Sequence, residues 1–171
     1  MKHIFSIPIL ETEIDLKKIK VSDAEFHPTW ESNVLTTVKS GIKVYDSTWN
    51  YLYKIIDPFL KSLGDEYSQI RFTGMWRNKY DPKSYQGYHI HPNCQWSFII
   101  YETVSSKTSF LHPYMALIQN QWMDHSKVCS MDYRPNLKPG SMIVFPSFVA
   151  HQVLPGNDGT TLSGNILVSY I

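Results

Sequence analysis

Residues 87–101 read Gly87-Tyr88-His89-Ile90-His91-Pro92-Asn93-Cys94-Gln95-Trp96-Ser97-Phe98-Ile99-Ile100-Tyr101. Short aromatic and apolar runs flank Pro92-Asn93, a turn signal, so Tyr88–His91 and Gln95–Thr103 are expected as strands. In an extended chain residues i and i+2 project to one face, and His89 and His91 therefore offer two imidazoles side by side. Imidazole is the commonest nitrogen ligand for Zn, Fe, Cu or Ni, and two ligands on one rigid strand lower the cost of ordering a site. Taken alone, His-x-His is a weak signal, and surface histidines or a satisfied core pair account for it more readily than a metal site.

A third histidine lies far downstream. Lys138-Pro139-Gly140 is a strong turn, Ser141–Phe145 an apolar strand and Pro146 a stop, and His151 follows at the head of Val149–Leu154. A paired His-x-His with a distal His after a Gly turn and a strand is how a jelly-roll or cupin barrel builds an open three-ligand metal centre. The remaining grammar agrees. Ile70–Asn78, Ser109–Tyr114 and Leu162–Ile171 are further short runs, separated by Asp81-Pro82, Ser105-Ser106 and Pro155-Gly156-Asn157-Asp158-Gly159. This spacing predicts a mainly β fold, a double-stranded β-helix (jelly roll, cupin-like). Residues 115–136, with Trp122 and His125, read as a long insertion of the kind that forms lids or binding loops.

Upstream the chain is mixed. Residues 3–10 are expected as a short strand, held to a sheet edge by Pro8. From Ser47 to Leu63, Trp49, Leu52, Tyr53, Ile56, Leu60 and Leu63 share one helical face. Asp46 or Ser47 is the expected N-cap, Gly64 the residue that ends the helix, and Pro58 predicts a kink or two shorter helices. Neither a repeat nor a linker divides the sequence, so one domain over 1–171 is expected, with N-terminal α/β elements (1–66) bracing a jelly-roll core (67–171).

Composition narrows the function classes. Among 171 residues, 16 Lys and Arg against 15 Asp and Glu leave a charge of +1, which favours neither nucleic acid nor an anionic membrane. With 14% aromatics and only 18% charged residues, a disordered chain is excluded. The first ten residues lack the apolar core of a signal peptide, and no run is long enough for a membrane helix. Cys94 and Cys129 are too few and too far apart for a disulfide framework or a zinc knuckle, which points to free thiols and the cytoplasm. Hydrolase, kinase and zinc-finger signatures are absent.

Around the histidines the sequence resembles the iron(II)/2-oxoglutarate-dependent oxygenases, and most closely a branch of small members common in phage and marine bacterial genomes. Ile4-Phe5-Ser6-Ile7-Pro8-Ile9 is similar to that branch's opening strand. Trp76-Arg77-Asn78, Gly87 through Tyr101, Lys138-Pro139-Gly140, Phe145-Pro146-Ser147, His151, Ser163 and Asn165 carry the rest of the likeness. The resemblance implies one Fe(II) held by His89, His91 and His151, 2-oxoglutarate as cosubstrate, and hydroxylation of a C–H bond coupled to its oxidative decarboxylation. It further implies cosubstrate or substrate contacts from Trp76, Arg77, Asn78, Tyr101, Ser163 and Asn165, with no catalytic group beyond the metal ligands. A small-molecule or peptide substrate is expected, although the resemblance does not name it, and a homodimer is one assembly the sequence allows.

Two positions depart from the superfamily pattern. His91 stands where a carboxylate ligand is usual, as it does in many members of the branch. Where the family carries an Arg or Lys after the distal His, this chain has Thr160 and Thr161, and no cation occurs from Pro139 to Ile171. A buried carboxylate needs a charged or hydrogen-bonded partner. Arg77 first, then Lys79 or Arg71, could supply it from a neighbouring strand; otherwise the pocket takes another small molecule, or the reaction has been lost. Two other readings stay open: a cupin-like three-His dioxygenase or isomerase that works without 2-oxoglutarate, and a jelly-roll binding module without a metal.

Overall fold

The computed structural model describes residues 6–29, 32–64, 66–116 and 130–170. Its strands are β1 (Leu10–Glu13), β2 (His27–Pro28), β3 (Leu35–Thr36), β4 (Tyr67–Tyr80), β5 (Gln86–His89), β6 (Trp96–Tyr101), β7 (Thr108–Leu111), β8 (Asp132–Tyr133), β9 (Ser141–Pro146), β10 (His151–Val153) and β11 (Gly159–Tyr170). One long helix, α1, spans Asp46–Ser62. The strands form two antiparallel sheets, of seven strands in the order β1-β9-β6-β11-β4-β3-β2 and of four in the order β5-β10-β7-β8. The expected mainly β jelly roll is what forms.

Period-two alternation assigns the two faces of the large sheet. On β6, Trp96, Phe98 and Ile100 join the outer core with Met142 and Val144 of β9 and Leu162 and Ile166 of β11. The residues between them point inward, where Ile99 and Tyr101 pack with Ile143, Phe145 and Phe110. Helix α1 closes the outer core through Leu52, Ile56 and Leu60, all nearly or wholly buried. Burial of each contributes about 2 kcal/mol relative to exposure. Gly164 lets the Phe98 ring approach β11 closely: a Cβ there would overlap the ring and stand 2.7 Å from the Gly74 carbonyl oxygen.

Several local expectations are corrected. Residues 3–5 of the expected first strand lie outside the described residues; among those described, the first strand begins at Leu10, after Pro8, and it does lie at a sheet edge, against β9. Helix α1 runs unbroken through Pro58. Both Pro58 and Lys54, whose carbonyl loses its partner, lie on the exposed side where water can replace the bond. Tyr45, not Asp46 or Ser47, holds the N-cap position and makes no side-chain cap bond. Gly64 adopts φ +83°, the left-handed conformation expected of a helix-ending glycine. Pro146 is the last residue of β9, a position that asks no ladder donor of it. Most of the insertion, including Trp122 and His125, lies outside the described residues, as do Cys129 and His3.

Candidate metal centre

Strand β5 pairs with β10 so that His89 faces His151 across the ladder, and Phe110 of β7 flanks His151 on its other side. The His89 and His151 ring centroids are therefore only 4.2 Å apart. His91 lies just beyond the end of β5, where its N–H donates to the Ser147 carbonyl at 3.1 Å. The turn that follows places Asn93 at φ 60°, a left-handed position Asn tolerates better than most residues. His91 stacks on His89 at 5.5 Å and meets His151 at 5.1 Å. One ring nitrogen from each histidine lies within 4.8 Å of the others, and no other such cluster occurs among the described residues.

Hydrogen bonds decide which nitrogens face inward. His89 Nδ1 lies 2.9 Å from the Gly87 carbonyl oxygen, and His151 Nδ1 lies 3.1 Å from that of Val149. A carbonyl only accepts, so each Nδ1 carries the proton and each Nε2 keeps a free lone pair. His91 Nδ1 is 2.7 Å from Asn165 Oδ1 and 2.9 Å from Ser97 Oγ. Donation to the Asn165 oxygen gives His91 the same tautomer. Three neutral imidazoles with tied Nδ1 atoms form a donor set suited to a divalent transition metal.

Electrostatics support that protonation state. Burial holds the His91 imidazole down to about 4, and burial likewise lowers His89. His151, 2% exposed, is held well below the ordinary range by burial and then by the other two histidines. Trp76 lies 5.5 Å from His91, and Phe145 and Phe110 lie 4.9 and 5.6 Å from His151, so an aromatic wall backs the imidazoles.

The three histidines open into a cavity of about 400 Å³ between the sheets. Trp76, Asn78, Tyr101, Ser163 and Asn165, all singled out in the sequence, line it. Asn78 Nδ2 donates to Ser163 Oγ at 3.3 Å, and the Tyr101 hydroxyl pairs with Thr108 at 2.9 Å and accepts from Ser106 at 3.0 Å. Arg77 is not among the lining residues. Alternation turns it to the other face of β4, where Nε and Nη2 each donate to a Glu102 oxygen at 2.9 Å. Among the described residues Lys39 is the only cation lining the cavity, and it is exposed. Thr161, one of the two residues at the position where the family carries a cation, lines it as well, and so do Tyr80, Thr108 and Asn157, which the sequence does not single out. For Tyr80 and Thr161 the signal was available, since each keeps strand parity with Asn78 and Ser163.

A family model described as "Putative 2OG-Fe(II) oxygenase" matches residues 74–162. No curated protein matches in sequence. Among solved structures, an oxidoreductase of the 2OG-Fe(II) oxygenase family from Burkholderia pseudomallei is 13% identical, with 85% of this chain and 73% of that one covered and a TM-score of 0.56. A Pseudomonas putida prolyl-4-hydroxylase is 13% identical, with 86% and 78% covered and a TM-score of 0.50. The viral collagen prolyl hydroxylase of Paramecium Bursaria Chlorella virus-1, solved with 2OG, is 12% identical, with 83% and 81% covered and a TM-score of 0.51. At these identities the structural likeness is one of fold.

Proposed function

This chain belongs to the 2OG-Fe(II) oxygenase family, and from that premise we propose that His89, His91 and His151 hold Fe(II) through their Nε2 atoms in an enzyme that hydroxylates a small molecule or a peptide side chain. The observation that carries the reading is a cluster of three histidines with one ring nitrogen each within 4.8 Å of the others, in which every Nδ1 lies within hydrogen-bond distance of an oxygen and Nε2 is left for a metal. Metal-binding histidines are oriented in this way by their outer hydrogen bonds. With Fe(II) and 2-oxoglutarate bound, the centre supplies an oxidant made from O2 as the cosubstrate is decarboxylated to succinate and CO2. The protein's own residues do the rest. Gly87, Val149 and Asn165 hold the rings, while Trp76, Phe110 and Phe145 keep water from the imidazole faces. Three neutral ligands leave the metal's charge uncompensated, which favours an anionic cosubstrate at the remaining positions.

Anaerobic titration of the metal-free protein with Fe(II) and 2-oxoglutarate tests the reading. A weak visible charge-transfer band that disappears in His151→Ala is expected. Absence of the band, with iron binding unchanged in that variant, would overturn it. A three-His centre that uses O2 without 2-oxoglutarate is the second reading, favoured because Lys39, which is exposed, is the one lining cation among the described residues. Oxygen uptake that is equal with and without 2-oxoglutarate would select it.

A further inference from the structure

Farther along β11 from the imidazoles, the described residues that line the cavity are buried, polar and uncharged. Asn165 stands beside His91, and the inward side of β11 continues through Ser163 to Thr161, about 7 and 13 Å along the strand at its ordinary rise. Tyr80, Asn157, Thr161 and Ser163 are exposed by only 5, 4, 3 and 6%.

Counting hydrogens shows unused donors here. Ser163 Oγ accepts from Asn78, whose amide also lies against the Tyr80 hydroxyl. Tyr80 and Thr161 share one hydrogen bond at 3.2 Å. The hydroxyls of Ser163, Tyr80 and Thr161 carry one hydrogen each, and the Tyr80–Thr161 contact uses one of them. The others have no acceptor among the described residues. The Asn157 side-chain amide has no hydrogen-bond partner among them either, although the residue is nearly buried and lines the cavity. Burial pushes the Tyr80 phenol up to about 12, so it keeps its proton and can donate.

Such a cluster of unused O–H and N–H groups calls for an acceptor with several lone pairs. A carboxylate offers about four acceptor sites on two oxygens, and hydrogen bonds to it are stronger than those to a neutral group. We propose that Tyr80, Asn157, Thr161 and Ser163 bind the far carboxylate of a 2-oxo dicarboxylate, 2-oxoglutarate first, through uncharged donors and without a paired cation. The inference rests on the metal reading above, since the ligand's 2-oxo acid end must be held at the imidazoles for its tail to run along this row. Arg77 is turned away and already neutralised by Glu102, and Lys39 sits at the exposed mouth.

Calorimetry on the full chain loaded with redox-inert Ni(II) provides the test, comparing 2-oxoglutarate with 2-oxopentanoate, which lacks the far carboxylate. The native protein is expected to prefer 2-oxoglutarate by about tenfold, the scale of a hydrogen-bonded charge. Thr161→Val and Tyr80→Phe should each remove most of that preference, leaving 2-oxopentanoate binding within about twofold of native. Lys39→Met should leave both affinities within about twofold. If either buried variant fails to fold, Asn157→Ala serves for the same comparison. Equal binding of the two acids, loss of the preference in Lys39→Met, or an equal loss of both acids in the buried variants would overturn the proposal. Nickel-dependent binding of neither acid would instead overturn the cosubstrate reading beneath it.

Discussion

Asn165 Oδ1 lies 2.7 Å from His91 Nδ1, so the histidine standing where a carboxylate ligand is usual is steered by a neutral amide on the central strand of the large sheet. The contact joins residues from different elements and fixes both the ring plane and the tautomer. Replacing Asn165 with Leu removes the acceptor and leaves the imidazole to Ser97 alone. Metal affinity is expected to fall by about 10- to 100-fold, the usual effect of losing an outer partner of a metal-binding His. Asn165→Asp restores an acceptor and adds charge, so its affinity should equal or exceed the native one. Co(II) titration against a competing chelator measures both, and a Leu variant with native affinity would rule out the steering role.

Removal of a proposed ligand separates metal binding from folding. His151→Ala deletes one nitrogen of three and leaves a small space beside Phe110 and Phe145. The metal-free variant should remain folded with a lower Tm, while the rise in Tm that Ni(II) gives the native protein should vanish. A variant still stabilised by Ni(II) to the native extent would place the metal elsewhere.

The buried imidazoles also set the acid response of the metal-free protein. In the unfolded chain a histidine takes up its proton near pH 6.5. In the folded protein burial delays that uptake for His89 and His151 and, for His91, down to about 4. Across that interval the unfolded chain binds more protons, so stability is complete above about pH 6.5 and declines as the pH falls toward about 4. Tm measured from pH 7.5 to 4.5 should follow this course, with a shallower slope in His91→Gln. Parallel slopes in the two proteins would contradict it.

Arg77 is expected to matter for stability and not for ligand binding. Its paired hydrogen bonds to Glu102 are partly buried, with side-chain exposures of 21 and 16%. Arg77→Met leaves the carboxylate without its partner and should cost about 1–3 kcal/mol in denaturant unfolding, less than a fully buried pair would. Affinity of the Ni(II)-loaded protein for 2-oxoglutarate should stay within about twofold. A selective loss of affinity at unchanged stability would return Arg77 to the cavity's chemistry.

Gly164→Ala probes the close approach of β11 to Phe98. The added methyl meets an aromatic ring and a backbone carbonyl, neither of which can move aside as the end of a flexible chain would. A destabilisation of about 1–3 kcal/mol is expected from the overpacking, with metal affinity preserved because the outer core lies on the opposite face of the sheet from the histidines. Urea unfolding and the same Co(II) titration check the two halves.

The site was legible where chemistry and spacing coincide. His89 and His91 show as an i, i+2 pair, and His151 shows by its position after a turn and an apolar strand. Trp76, Asn78, Tyr101, Ser163 and Asn165 were singled out beside them and do line the cavity. The charge of Arg77 points to the cavity, but its strand parity does not: flanked by inward Trp76 and Asn78, it must face outward. Pro58 implies a break as long as the side of the helix that meets water is unknown, and its exposed position removes that need. The Glu102 partner and the Asn157 amide depend on contacts between segments far apart in the chain, which no local pattern encodes.

Strand β11 presents Leu162, Gly164 and Ile166 to the hydrophobic core and Thr161, Ser163 and Asn165 to the cavity. Fold and chemistry are thus written on interleaved letters of one strand. On the proposed reading, ligand preference can be rewritten at the odd positions while the even ones keep the molecule folded. Inserting or deleting one residue would exchange the two texts and forfeit both.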